Sequence, residues 1–169
     1  MPAAEVLDRV NENDQPVGTI ARGDVFRLHA NFRVAHVFIF DGIGELLLQQ
    51  LASSRSRHPG RWGSSLAAYV AAGETYAAAA TRRLSEELGV SNVGLREIGK
   101  TSMFDEGSLK FITLYEAGLS GPFVIDPSHI SEIAFFPLDQ VRSWSVQDPA
   151  AFTPTFLHLL DFYVRTRRL

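Results

Sequence analysis

Residues 73–90 read GETYAAAATRRLSEELGV, and their reading decides how the rest of the chain is understood. On a helix turning about 100° per residue with Arg82 at zero, Glu86 falls at about 40°, Arg83 at about 100° and Glu87 at about 140°. Two carboxylates and two guanidiniums thus share one flank. Ala77, Ala80, Leu84 and Leu88 lie between about 160° and 240°, a narrow apolar stripe beside that flank. Thr75 is placed to cap the helix and Gly89 to end it in the left-handed conformation.

Working outward, Leu66 to Val70 reads as a short strand that enters the helix through Ala71-Ala72-Gly73, which sets the carboxylates at a sheet edge. Upstream, Val34 to Phe40 and Leu46 to Leu51 flank the turn residues Asp41 to Gly44, a hairpin signal. Between them and the helix, Ala52 to Gly63 is polar and basic, and Arg55, Arg57 and Arg61 suit it either to phosphate or to plain solvation. Val6 to Val10 and Pro16 to Ile20 flank Asn11 to Asp14 as an N-terminal hairpin. A connection follows, with one helical turn around Asp24 to Leu28. Downstream, strands are expected over Val93 to Ile98, Lys110 to Glu116 and Glu132 to Phe136, then a short helical turn over Pro137 to Val141. Thr153-Pro154 opens a helix to about Arg167 that buries Phe156, Leu157, Leu159, Leu160, Phe162, Tyr163 and Val164. The result is an α/β (α+β) sandwich in a single domain over 1–169. Its parts are a hairpin extension (1–33), a core (34–141) and a C-terminal helix (153–167).

Hydrophobic content of 46% with 21% charge fits a globular domain with a sizeable core. No apolar run approaches the roughly 20 residues of a membrane-spanning helix, and MPAAEVLDRV lacks the basic and apolar parts of a signal peptide, so the expected location is cytoplasmic. The chain has no cysteine. That excludes disulfides, thiolate metal sites and cysteine nucleophiles, and leaves metal chemistry to carboxylates. A net charge of −3 gives no pull toward nucleic acid or anionic lipid. The basic residues Arg165 to Arg168 read as a solvated helix end.

Glu86, Glu87 and Glu74 are hard oxygen ligands of the kind Mg²⁺ or Mn²⁺ takes, and such an ion neutralises a diphosphate and activates water. The order Glu74, seven residues, Arg82, one residue, Leu84, one residue, Glu86-Glu87, one residue, Gly89-Val90 closely resembles the Nudix box, Gly-x5-Glu-x7-Arg-Glu-U-x-Glu-Glu-x-Gly-U with U aliphatic. Ala68 stands at the opening glycine and Arg83 at the glutamate of the Arg-Glu pair. Trp62, the Asp41 to Gly44 turn and Glu132 to Val141 also sit where Nudix domains have comparable features, so the resemblance spans Val34 to Val141. Leu7 to Gly18, L-D-x-V-N-E-x-D-x-x-V-G, and Arg82-Arg83 look most like the branch related to isopentenyl-diphosphate isomerase.

The resemblance implies a Nudix-like α/β/α sandwich. It also implies metal-dependent hydrolysis of a diphosphate linkage in a nucleoside diphosphate derivative or similar small molecule. It assigns metal binding to Glu86 and Glu87, supported by Glu74 and a backbone carbonyl at Ala67 or Ala68, with Arg82 orienting a box glutamate. Glu106, Glu116 and Glu132 are candidates for a further carboxylate, and Glu132 matches best by position. The isomerase carries a cysteine and a histidine where this chain has Ala67 and Tyr69, and His29 and His36 do not match its paired histidines, so isomerase activity is not expected. His36 reads as a core or sheet-face residue. Arg83 reverses one charge between the two glutamates. A unit pair at 4 Å and an effective dielectric near 20 is worth about 4 kcal/mol, so the reading is a weak or single-metal hydrolase, in which Glu86 and Glu87 still hold one ion if Arg83 swings out to solvent. Its rival is a catalytically silent domain that binds a nucleotide or a protein. Trp62, Phe104 and Tyr69 are candidate stacking residues. A homodimer through the N-terminal hairpin or C-terminal helix is a further expectation.

Overall fold

The computed structural model describes residues 5–169, so residues 1–4 of the expected extension lie outside the described residues. In chain order the strands are β1 (Val6–Val10), β2 (Pro16–Ala21), β3 (Phe32–Phe40), β4 (Leu46–Leu51), β5 (Trp62–Gly63), β6 (Leu66–Tyr69), β7 (Arg96–Asp105), β8 (Ser108–Gly118) and β9 (Ile130–Phe136). The helices are α1 (Tyr76–Leu88), between β6 and β7, then α2 (Leu138–Gln147) and α3 (Pro154–Arg167) after β9. β1 and β2 pair as the expected N-terminal hairpin, and the other strands form one mixed sheet.

β3 is nearly continuous apolar sequence because both its faces are covered. Ala35, Val37 and Ile39 pack with Ala79, Ala80, Leu84 and Leu88 of α1. Phe32, Val34 and Phe38 point the other way and pack with Phe156, Leu159, Leu160 and Tyr163 of α3. Leu157, Phe162 and Val164, expected on the buried face of α3, are only partly buried.

The hairpin expected of β3 and β4 closes but does not continue, because the two strands pair only at Phe40 and Leu46. Beyond that point β6 pairs with β3 and β9 pairs with β4, so distant segments split the two apart. On its other edge β3 runs parallel to β8 from Phe32–Lys110 to Phe40–Gly118. The strand expected at Val93 to Ile98 begins instead at Arg96, and the turn of helix at Pro137 to Val141 extends to Gln147. The divergence of β3 and β4 matters for function, because the site opens beside β6 where they part.

Candidate functional site

Thr75 caps α1, its hydroxyl accepting from the Ala78 N–H at 3.1 Å, and Gly89 ends the helix at φ 67°. Ala77 is exposed whereas Ala79 is buried, so the packed face of α1 is turned toward the charged flank. It takes Glu87 with it: the side chain is only 4% exposed, while that of Glu86 is 47% exposed.

Each carboxylate of the helix is held by an arginine. Arg82 grips Glu74 through two parallel hydrogen bonds, at 2.9 and 3.0 Å, and donates a third to the Tyr69 carbonyl at 3.1 Å. Glu74 also accepts from the Ala71 N–H, and the Arg82 hydrogen bonds hold its carboxyl below the usual range. Arg83 does not turn to solvent. It folds inward onto Glu86 at 2.7 Å and also bonds Glu87, since a buried carboxylate four residues on is the strongest attraction within its reach.

Beside this turn lies a cavity of about 360 Å³. Glu87, Arg83, Ala67 and Ala68 form part of its wall, and Arg22, Arg55, Arg57 and Lys110 add four more cations. Glu5 is the second carboxylate in the lining and pairs with Arg22 at 3.2 Å. Arg22 lies over the Tyr69 ring at 4.2 Å, and Arg55 faces His129 Nδ1 at 3.2 Å. Arg57 lies over the Phe26 ring at 4.2 Å and donates to Asp105 at 2.7 Å. His36 is buried against the cavity, with Nδ1 at 2.8 Å from the Ser64 hydroxyl. Burial, reinforced by the charge of Lys110, pushes it down to about 3 and keeps the imidazole neutral.

Of the residues singled out in the sequence, Glu87, Arg55, Arg57 and Ala68 meet at this cavity, and Tyr69 lines it as well. Glu74, Arg82 and Glu86 lie outside the lining, on the helix beside it and the turn that opens it. Arg61 lies outside too: its carbonyl is tied to the Leu51 N–H, which aligns this end of the loop with β4 instead of the cavity. None of the three candidate outside carboxylates reaches the cavity. Glu116 accepts from the Tyr163 hydroxyl at 2.9 Å, Glu132 is exposed on β9, and Glu106 stands 3.9 Å from Arg57 Nε. Trp62 packs on Phe136 and Trp144, and Phe104 is 74% exposed at the far end of β7. Glu5, Arg22 and Lys110 escaped the sequence reading. Only Lys110 left a signal, as a lone cation inside the apolar run SLKFITLY.

A family model described as NUDIX domain matches residues 30–156. The chain belongs to the NUDIX domain family. An uncharacterized Nudix hydrolase of Pseudomonas aeruginosa is 31% identical over 165 residues, which cover 95% of this chain and 94% of the relative. An isopentenyl-diphosphate Delta-isomerase of Streptomyces avermitilis is 33% identical over 168 residues, covering 94% and 83%. Among solved structures, the crystal structure of a Deinococcus radiodurans protein matches with a TM-score of 0.79 at 27% identity, over 97% of this chain and 98% of that one. This Nudix domain therefore keeps the fold and most of its box, with Ala68 and Arg83 as its departures.

A divalent ion suits the donor chemistry of the box only in part. Among the described residues no three His, Cys, Asp or Glu side chains converge on one point. Glu86 and Glu87 offer two carboxylates, which is enough for Mg²⁺ because that ion keeps several of its waters. Arg83 holds one oxygen of each carboxylate and would compete with an ion for them.

Proposed function

We propose that this Nudix domain is a pyrophosphohydrolase that cleaves a diphosphate linkage in a nucleoside diphosphate derivative or similar small molecule. The observation that carries the reading is the union, in one cavity, of the buried box carboxylate Glu87 with five cationic side chains. A diphosphate needs such a lining, since phosphoryl transfer is accelerated mainly by positioning and by stabilising charge on the phosphoryl oxygens. Arg22 and Arg55 bind and orient it with planar donors, and Arg57 extends the same cationic wall. Tyr69 and Phe26, each covered by an arginine, limit the freedom of those guanidiniums. A divalent ion held by Glu86 and Glu87 would supply charge neutralisation and an activated water.

The rival reading, a binding module without turnover, draws on Arg83, which neutralises part of the box charge from within. Isomerase chemistry is disfavoured by Ala67 and Tyr69. Phosphate release, coupled to a phosphatase, separates the first two across nucleoside diphosphate sugars, dinucleoside polyphosphates and prenyl diphosphates. The expected result is turnover on at least one class, abolished by EDTA and by Glu87→Gln. Binding without turnover on any member would make the protein a binding module.

A further inference from the structure

Lys110 is a buried cation that folding does not explain. It sits in β8 opposite Phe32, with a side chain only 6% exposed, on the face that continues into the apolar core through Ile112 and Leu114. An apolar residue of similar volume would hold the strand at least as well, because desolvating an ammonium costs several kcal/mol. Its partners are Asp105 at 2.8 Å and the Thr155 hydroxyl at 2.5 Å. An ammonium has three protons to donate, so these partners leave one in hand, and Lys110 lines the cavity.

The surroundings add positive charge instead of cancelling it. Asp105 spends one oxygen on Lys110 and the other on Arg57, so one carboxylate serves two cations. Arg57 Nε is buried with no hydrogen-bond partner among the described residues, and Glu106 stands 3.9 Å from it on an exposed side chain. His36 is neutral and contributes a dipole only. This positive end is offset along the sheet from the start of the box: Ala67 pairs with His36, four residues along β3 from the partner of Lys110, about 13 Å between backbone positions at strand spacing.

We propose that Lys110, with Arg57, forms a second anion-selecting subsite, so that the preferred ligand carries a carboxylate or phosphate remote from its diphosphate. This rests on the pyrophosphohydrolase reading for the position of the diphosphate. Charge-assisted hydrogen bonds to a buried ammonium supply tenfold or more in affinity.

The test is isothermal titration with matched pairs that differ in the remote anion: UDP-glucuronate against UDP-glucose for a carboxylate, and NADP⁺ against NAD⁺ for a phosphate. At least one anionic member is expected to bind tenfold more tightly than its neutral mate. That preference should vanish in Lys110→Met and persist in Lys110→Arg, and the pair that shows it identifies the anion. Equal binding within both pairs by the wild type overturns the subsite while leaving the diphosphate reading intact. A preference that survives Lys110→Met overturns the role of Lys110. Failure of all four compounds to bind overturns the subsite as proposed, whereas the diphosphate reading stands or falls separately on turnover across the phosphate-release panel.

Discussion

Arg82 and Glu74 form a two-pronged ion pair across the turn that opens α1, with Nε on one carboxylate oxygen at 2.9 Å and Nη2 on the other at 3.0 Å. The same Nη2 reaches the Tyr69 carbonyl, so one guanidinium fastens β6, the turn and the helix together. Lysine cannot reproduce this geometry, because its ammonium is a point donor and not a planar fork. Arg82 is about one-third exposed, which screens the pair. Arg82→Lys should therefore cost only about 1–2 kcal/mol in urea unfolding. Its larger effect should fall on ligand binding, through displacement of Tyr69 at the cavity wall.

Arg83 presents the opposite case, an arginine that withholds carboxylates from other cations. Replacing it with glutamate removes the internal partner of Glu86 and Glu87 and adds a third carboxylate to the flank. Arg83→Glu should raise Mn²⁺ affinity at least tenfold, and Arg83→Gln by less, in isothermal titration. The double variant Arg83→Glu/Glu87→Gln should lose most of the gain. An affinity unchanged across the series would mean that Arg83 does not compete for the box carboxylates.

What could be read in advance was what is local in sequence. The Thr75 cap, the Gly89 stop and the spacing of Glu74, Arg82, Glu86 and Glu87 lie within one helix and its turn, so helical periodicity carries them. The pairing of β4 with β9 depends on residues 79 to 90 positions away and overrides the turn at Asp41 to Gly44, which in isolation signals a full hairpin. Arg83 was open to either orientation, because its inward fold depends on how far α1 rotates to bury Glu87. Lys110 showed only as a lone cation in an apolar run, because its place at the cavity depends on partners beyond that run, Asp105 on β7 and Thr155, 45 residues away on α3.

Asp14 is the clearest stability hinge outside the site. It adopts φ 60° at the turn of the N-terminal hairpin and accepts from Arg33 at 2.5 Å, from the Tyr76 hydroxyl at 2.7 Å and from Lys100. Burial alone would raise its carboxyl, but these donors outweigh it and hold the group below the ordinary value. Asparagine tolerates the same backbone conformation, so Asp14→Asn removes the charge and spares the turn. It should cost about 2–3 kcal/mol at neutral pH, measured by denaturant unfolding. Because the folded value is depressed, this contribution is present above about pH 4 and is lost as pH falls through the folded value, so variant and wild type should converge in acid.

His36 acts in a different window. Its folded value of about 3 lies below the ordinary 6.5, so the unfolded chain takes up a proton that the native state refuses. Stability from this group is complete above about pH 6.5 and declines as pH falls, with a limiting slope of about 1.4 kcal/mol per pH unit. His36→Gln keeps a polar group toward Ser64 but cannot titrate. The unfolding free energy of the variant should therefore be flatter than that of the wild type between pH 6 and pH 4.5, above the range where Asp14 titrates. Parallel curves over that interval would mean that His36 binds a proton as readily in the folded protein as in the unfolded chain, and that its place beside Lys110 does not keep it neutral.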